Sequence, residues 1–122
     1  MNKRKIWEVV TFDPGECNIW APVIYHWQVR RPDGSTHDYV GKAANGSTRT
    51  WNAYVDNAFK LLNGVPYRPD LPDGFQAIHH VLAEAAREGW EVLLRLVENC
   101  SVEEIEARRR HWVATLECDL NP

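Results

Sequence analysis

Tyr25 and Tyr39 are the residues of this chain whose type and placement could do chemistry together. They lie in two short runs, Val23-Ile24-Tyr25-His26-Trp27-Gln28-Val29 and His37-Asp38-Tyr39-Val40-Gly41-Lys42, on either side of Pro32-Asp33-Gly34. Aromatic and β-branched runs about a Pro-Asp-Gly turn spell an antiparallel hairpin with strands near 20–30 and 36–42. Strand alternation puts Tyr25, Trp27 and Val29 on one face, and His37, Tyr39 and Gly41 on one face of the partner. A suitable register brings the two phenols together. His37 then stands beside them as an imidazole able to carry protons near neutral pH. Taken singly, each tyrosine is an ordinary half-buried strand aromatic.

Other chemistry is thinner. His79 and His80 are adjacent on a helical pattern and point apart, which is not metal-ligand spacing. Cys17, Cys100 and Cys118 are far apart and form no Cys-x-x-Cys pair, so neither a zinc site nor a disulfide framework is indicated. Arg108, Arg109 and Arg110 step about 100° apart around a helix and cannot share one face. Of the six tryptophans, Trp51, Trp90 and Trp112 fall on apolar faces and read as core, while Trp20 and Trp27 are unassigned.

The 122 residues suffice for one modest domain, with 44% hydrophobic and 25% charged residues. No apolar run reaches the ~18 residues of a membrane span, and residues 1–10 lack a signal peptide's apolar centre. A soluble protein of the reducing cytoplasm is the expectation. A formal charge of -3 and a pI near 5.9 argue against a broad electrostatic grip on nucleic acid. Any such grip needs a local patch, and the candidates are Lys3-Arg4-Lys5, Arg30-Arg31 and Arg108-Arg109-Arg110. The first also reads as a disordered, solubilising arm.

The elements that must position these residues follow from periodicity and punctuation. Residues 6–12 (Ile-Trp-Glu-Val-Val-Thr-Phe) form a leading strand closed by Asp13-Pro14-Gly15. After the hairpin, Ser47 or Thr48 caps a helix to Leu62, with Trp51, Tyr54, Val55, Ala58, Phe59 and Leu62 along its apolar face. Pro66, Pro69 and Pro72 make a loop. Asp73 caps a second helix with Phe75, Ile78, Val81, Leu82 and Ala85 inward, stopped at Gly89. Trp90–Val97 is a buried strand, and the Ser101/Glu104 capping box opens a last helix to about Leu116.

That order and those motifs resemble the GIY-YIG nuclease family, named for the two tyrosine-bearing strands of its hairpin. Val23-Ile24-Tyr25 stands for the first motif, with Val in place of Gly, and Tyr39-Val40-Gly41 for the second. Thirteen residues separate the two tyrosines, slightly more than the family usually has, and the Pro-Asp-Gly turn absorbs the excess. The family's arginine ten residues after its second tyrosine falls on Arg49. Its final helix and tail align on Trp112-Val113 and Asp119-Leu120-Asn121, which puts Arg109 where the family has a metal-binding glutamate.

The resemblance implies an α+β fold: a three-stranded antiparallel sheet flanked by helices, in the order β-β-α-α-β-α. The domain would cover residues 19–122, preceded by an N-terminal extension, 1–18. It also implies hydrolysis of a nucleic-acid phosphodiester, DNA in the first instance, assisted by Mg²⁺ or Mn²⁺. Tyr25 and Tyr39 would hold the attacking water, with His37 as proton carrier. Arg49 would clamp a non-bridging oxygen, and Lys42 would bind phosphate or lower a tyrosine pKa. Gly41 would let substrate backbone approach, and Asn121 would hydrogen-bond in the site.

Arg109 cannot offer a hard cation the oxygen it needs. Two outcomes stay open. Glu106, one turn away, takes the metal, and the chain is a nuclease. Alternatively the metal is lost, Arg109 acts as a fixed cation, and the domain binds nucleic acid or a protein partner without efficient cleavage. A third reading is a small interaction domain whose hairpin likeness is accidental. With no separate recognition domain expected after Asn121, sequence specificity would be low or supplied by a partner.

Overall fold

β2 (Val23–Arg30) and β3 (Thr36–Ala43) form the expected hairpin, with Trp27 opposite Tyr39 and Tyr25 opposite Gly41. In this computed structural model, residues 1–45 and 49–122 are described, Arg49 by its backbone alone. On its other side β2 pairs antiparallel with β4 (Glu91–Asn99), with a register shift between Ile24 and Tyr25. β4 in turn pairs parallel with β1 (Val10–Asp13). Among the described residues the fold is α+β, with four helices and a four-stranded mixed sheet in the order β1-β4-β2-β3.

The leading strand is shorter than its β-favouring composition suggests. Lys3–Glu8 is a helix, α1, capped by the Asn2 side chain, which accepts the Lys5 N–H at 3.0 Å. It lies over the main core, burying Ile6 to 1% exposure, and Lys3 pairs with Asp56 at 2.9 Å. Lys3-Arg4-Lys5 therefore begins an ordered element and not a loose arm. Only Val10 onward is extended, because there the backbone finds β4 to pair with.

Strand alternation splits the core in two. Tyr25, Trp27 and Val29 join Val92 and Leu94 under α2 (Arg49–Leu62) and α3 (Ala77–Glu88), against Trp51, Val55, Ile78 and Leu82. Ile24 and Val40 form a smaller cluster with Ile105, Trp112 and Val113 of α4 (Ile105–Thr115) on the opposite side. Trp27 is wholly buried, whereas Trp20 is 75% exposed. No helix among the described residues is long and apolar enough to cross a membrane.

The expected N-cap of α2, Ser47 or Thr48, lies outside the described residues. α3 begins later than Asp73: Gln76 occupies the cap position and donates its N–H to His79 Nδ1 at 3.0 Å. Asp73-Gly74 stay in the loop, which packs the Tyr67 and Leu71 side chains against Gly74. Gly89 ends α3 as expected, in the left-handed conformation at φ 74° that only glycine adopts cheaply. Ser101 Oγ accepts the Glu104 N–H at 3.3 Å, closing the turn ahead of α4.

Two histidines sit inside this frame. His26 lies between Asp38, 2.7 Å from its Nε2, and Arg95, which donates to Nδ1 at 2.8 Å. Burial holds His26 below the ordinary imidazole value, the Asp38 hydrogen bond opposing it. Burial, with the nearby His80 charge, holds His79 at about 4. Both therefore bind protons more readily in the unfolded chain. Their contribution to stability is complete above the ordinary value of 6.5 and is lost as the pH falls toward the folded value. His79 alone is expected to lower the unfolding free energy by roughly 2 kcal/mol between about pH 7.5 and 5, measured in urea. His79→Phe should lose that part of the slope whatever its absolute stability.

Candidate functional site

Tyr25 reaches the site by crossing its neighbouring strand. Its ring lies over Gly41, where an added Cβ would come within 2.3 Å of Tyr25 Cζ and Oη. Gly41 thus makes room for Tyr25, not for the substrate backbone expected from the family resemblance. Beyond the glycine the Tyr25 hydroxyl meets that of Tyr54, on α2, at 2.6 Å. Tyr54 donates to the Tyr39 hydroxyl at 3.2 Å. A phenol has one proton, so that donation leaves Tyr25 to donate to Tyr54 and directs the Tyr39 proton onward. The two hairpin tyrosines meet through a third, with the Tyr25/Tyr54 and Tyr39/Tyr54 rings edge-to-face at 5.8 and 5.6 Å.

Tyr54 is the site residue that sequence reasoning missed. It occupies the apolar stripe of its helix and passes for core. The signal for it was present: a tyrosine in such a stripe must find its hydroxyl a partner. Burial raises Tyr25 above the ordinary tyrosine range, against the Tyr54 hydrogen bond and the Arg109 charge. Tyr54 is raised by burial and then by its two phenol neighbours. Both are neutral donors and acceptors at physiological pH. The expected lowering of a tyrosine pKa by Lys42 does not occur at Tyr25.

Lys42 turns to α4 instead. Its Nζ lies 2.7 Å from Glu106 Oε2, while Arg109 grips the same carboxylate with Nε 3.0 Å from Oε2 and a terminal nitrogen 2.6 Å from Oε1. The hydrogen bonds from Arg109 and then Lys42 hold Glu106 at about 2. Two cations against one carboxylate leave this cluster a net positive charge.

Tyr25, Tyr39, Gly41, Lys42, Glu106, Arg109 and Asn121 border one open cavity of about 450 Å³ at the β3 edge, together with Tyr54, Gln76 and Pro122. Asn121 gives its amide to the sheet: Oδ1 accepts the Val40 N–H at 2.9 Å and Nδ2 donates to Val40 O at 2.8 Å. Asp119 Oδ1 accepts the Asp38 N–H at 2.7 Å, and Leu120 N–H reaches Asp38 O at 3.1 Å. The tail covers the edge as a further strand would.

His37 is not among the residues lining the cavity. Its Nδ1 is 2.6 Å from Asp119 Oδ2, and Arg31 Nε donates to its Nε2 at 2.8 Å, so both ring nitrogens serve the hairpin's far end and the tail. Arg31 also stacks its guanidinium over Trp90 at 4.5 Å. The arginine run splits by helical phase: Arg108 pairs with Glu98, Arg109 with Glu106, and Arg110 stays largely exposed. Arg49 opens α2, and its side chain lies outside the described residues.

These residues do not fit a hard divalent cation. Such an ion takes several oxygens, and both Glu106 oxygens are engaged by nitrogen donors. Among the described residues no group of three His, Cys, Asp or Glu is placed to hold a metal. An anion can instead reach Lys42 and Arg109 in exchange for the Glu106 carboxylate, in a cavity that Tyr39 also lines. Compared with known proteins, the chain matches no family model, no curated protein and no solved structure.

Gly41→Ala is expected to cost about 1–3 kcal/mol in denaturant unfolding, from overpacking against Tyr25. In a Tyr25→Ala background the same change should cost clearly less, since the ring it strikes is gone. The Glu106 carboxyl should titrate near 2 by side-chain NMR and move up toward the ordinary 4.5 in Arg109→Ala.

Proposed function

We propose that this chain is a GIY-YIG-type domain that binds nucleic acid at the β3-edge cavity, gripping phosphate with fixed cations and not with a metal. The observation that carries this reading is the meeting of Lys42 and Arg109 over one carboxylate, beside the Tyr25–Tyr54–Tyr39 chain. A guanidinium that forks a carboxylate has the geometry to fork a phosphate. The tyrosine motifs and the order β2-β3-α2-α3-β4-α4 about an antiparallel β3-β2-β4 unit support the family part of the reading.

One observation favours a second reading, phosphodiester hydrolysis. The hydrogen-bonded phenols end at Tyr39, in the cavity that holds Glu106, where a hydroxyl can orient a water against a bound phosphate.

A labelled DNA oligonucleotide, with an RNA of the same sequence beside it, separates these readings. Binding should weaken with salt, and Lys42→Ala and Arg109→Ala should each lower affinity about tenfold and reduce the salt slope by about one. Absence of salt-sensitive binding overturns the proposal. Plasmid nicked by the wild type with Mg²⁺ or Mn²⁺, and spared by Glu106→Gln, moves the conclusion to the nuclease.

A further inference from the structure

We propose that a second cavity, sharing a wall with the first, is a nucleobase site, so that the domain takes up one unstacked nucleotide with its phosphate at Lys42 and Arg109. This rests on the nucleic-acid reading and adds what is held beside the phosphate. The cavity, about 270 Å³, lies between α2, the loop after it and the start of α3. Tyr39, Tyr54 and Gln76 border both cavities, so the two lie side by side with these residues as their common wall.

The chemistry changes along this groove. The first cavity carries Lys42, Glu106 and Arg109, whereas the second is lined by aromatic rings, hydroxyls, an imidazole and the amides of Asn57 and Gln76. Flat apolar faces with a few neutral hydrogen-bonding groups suit a base, as fixed cations suit a phosphate.

The second cavity is also built in advance. His79, 4% exposed, accepts the Gln76 N–H at Nδ1, so its proton sits on Nε2, which faces the Asn57 amide at 3.4 Å. An Nε2–H needs an acceptor. The Asn57 atom placed at that distance is Nδ2, also a donor, so exchanging the amide's O and N supplies the acceptor and turns the NH₂ away from the ring. Burial keeps His79 neutral, which preserves that arrangement at physiological pH.

Tyr67 is fixed as firmly. Its ring lies edge-on to Phe75 at 5.3 Å, its N–H reaches Pro72 O at 3.0 Å, and its carbonyl accepts from Lys60 Nζ at 3.0 Å. Gly74 lies directly against it: a Cβ there would stand 2.7 Å from Tyr67 Cδ2. A preformed wall costs a ligand little ordering on binding. A base stacked and paired in a duplex cannot present its face and edge to such a cavity, so the fitting ligand is single-stranded or locally splayed.

The test compares a fluorescein-labelled thymidine ten-mer with a ten-mer of the same backbone whose central positions are abasic, by anisotropy with the full chain. The base-bearing strand should bind about tenfold more tightly. Asn57→Ala and Tyr67→Ala should abolish that difference while leaving abasic binding unchanged, and Arg109→Ala should weaken both strands. Asn57→Ala keeps the aromatic wall, so its result stands if Tyr67→Ala disturbs the loop. Equal, salt-sensitive binding of both strands, or full discrimination retained in Asn57→Ala, overturns the base site and leaves the phosphate reading standing. Binding of neither strand overturns both.

Discussion

A tyrosine ring laid across an edge-strand glycine is the contact on which the rest of this structure depends. Without a Cβ at Gly41, Tyr25 can leave the middle of the sheet and put its hydroxyl beside Tyr54. The same register sets Trp27 opposite Tyr39, and a slip of one residue would turn every one of these side chains to the wrong face. Hairpin register, helix position and hydroxyl chain are thus one constraint seen at three scales.

Around that constraint the charges are arranged with little burial. Glu106 is about two-fifths exposed, and so is Lys42. Pairs of that kind contribute little to folding, and their worth lies in placing charge. Arg109 cannot lose its proton and does not dissociate, so it gives the cavity a permanent cation where a metal would come and go. That permanence has a cost in chemistry: a guanidinium neutralises charge but does not make a hydroxide from water, as a metal can. Glu106 occupies the fork an anion would use, so any phosphate that enters exchanges one oxyanion for another instead of filling an empty charge.

Much of the fold is legible in the sequence because its signals are local. The Pro-Asp-Gly turn, the apolar stripe of α2 and the stop at Gly89 each depend on residues within a few positions. Ile6-Trp7 misleads because a β-favouring run also serves as the buried side of a short helix once Asn2 caps it. The pairing of β1 with β4 is a tertiary event that no local pattern encodes. At the site, the spacing of Tyr25, Tyr39, Lys42 and Glu106 carries them to one cavity, but their partners are not in the spacing. Tyr54 hides in an apolar stripe. Arg109 looks like a lost ligand until its fork is seen on Glu106. His37 shares a strand face with Tyr39, yet its nitrogens are taken by Arg31 and Asp119 from outside the strand.

The tail over β3 has a further consequence. A strand added to a sheet edge is held along its length, but here a carboxylate, a main-chain N–H and one side-chain amide do that work for Asp38 and Val40. The part of the cavity wall that Asn121 forms is therefore held to the sheet by side-chain bonds and not by a strand ladder. Whatever loosens residues 119–121 uncovers unpaired edge groups and widens the groove in one step. Openness to a ligand and exposure to unwanted strand pairing are thus coupled through the same few hydrogen bonds.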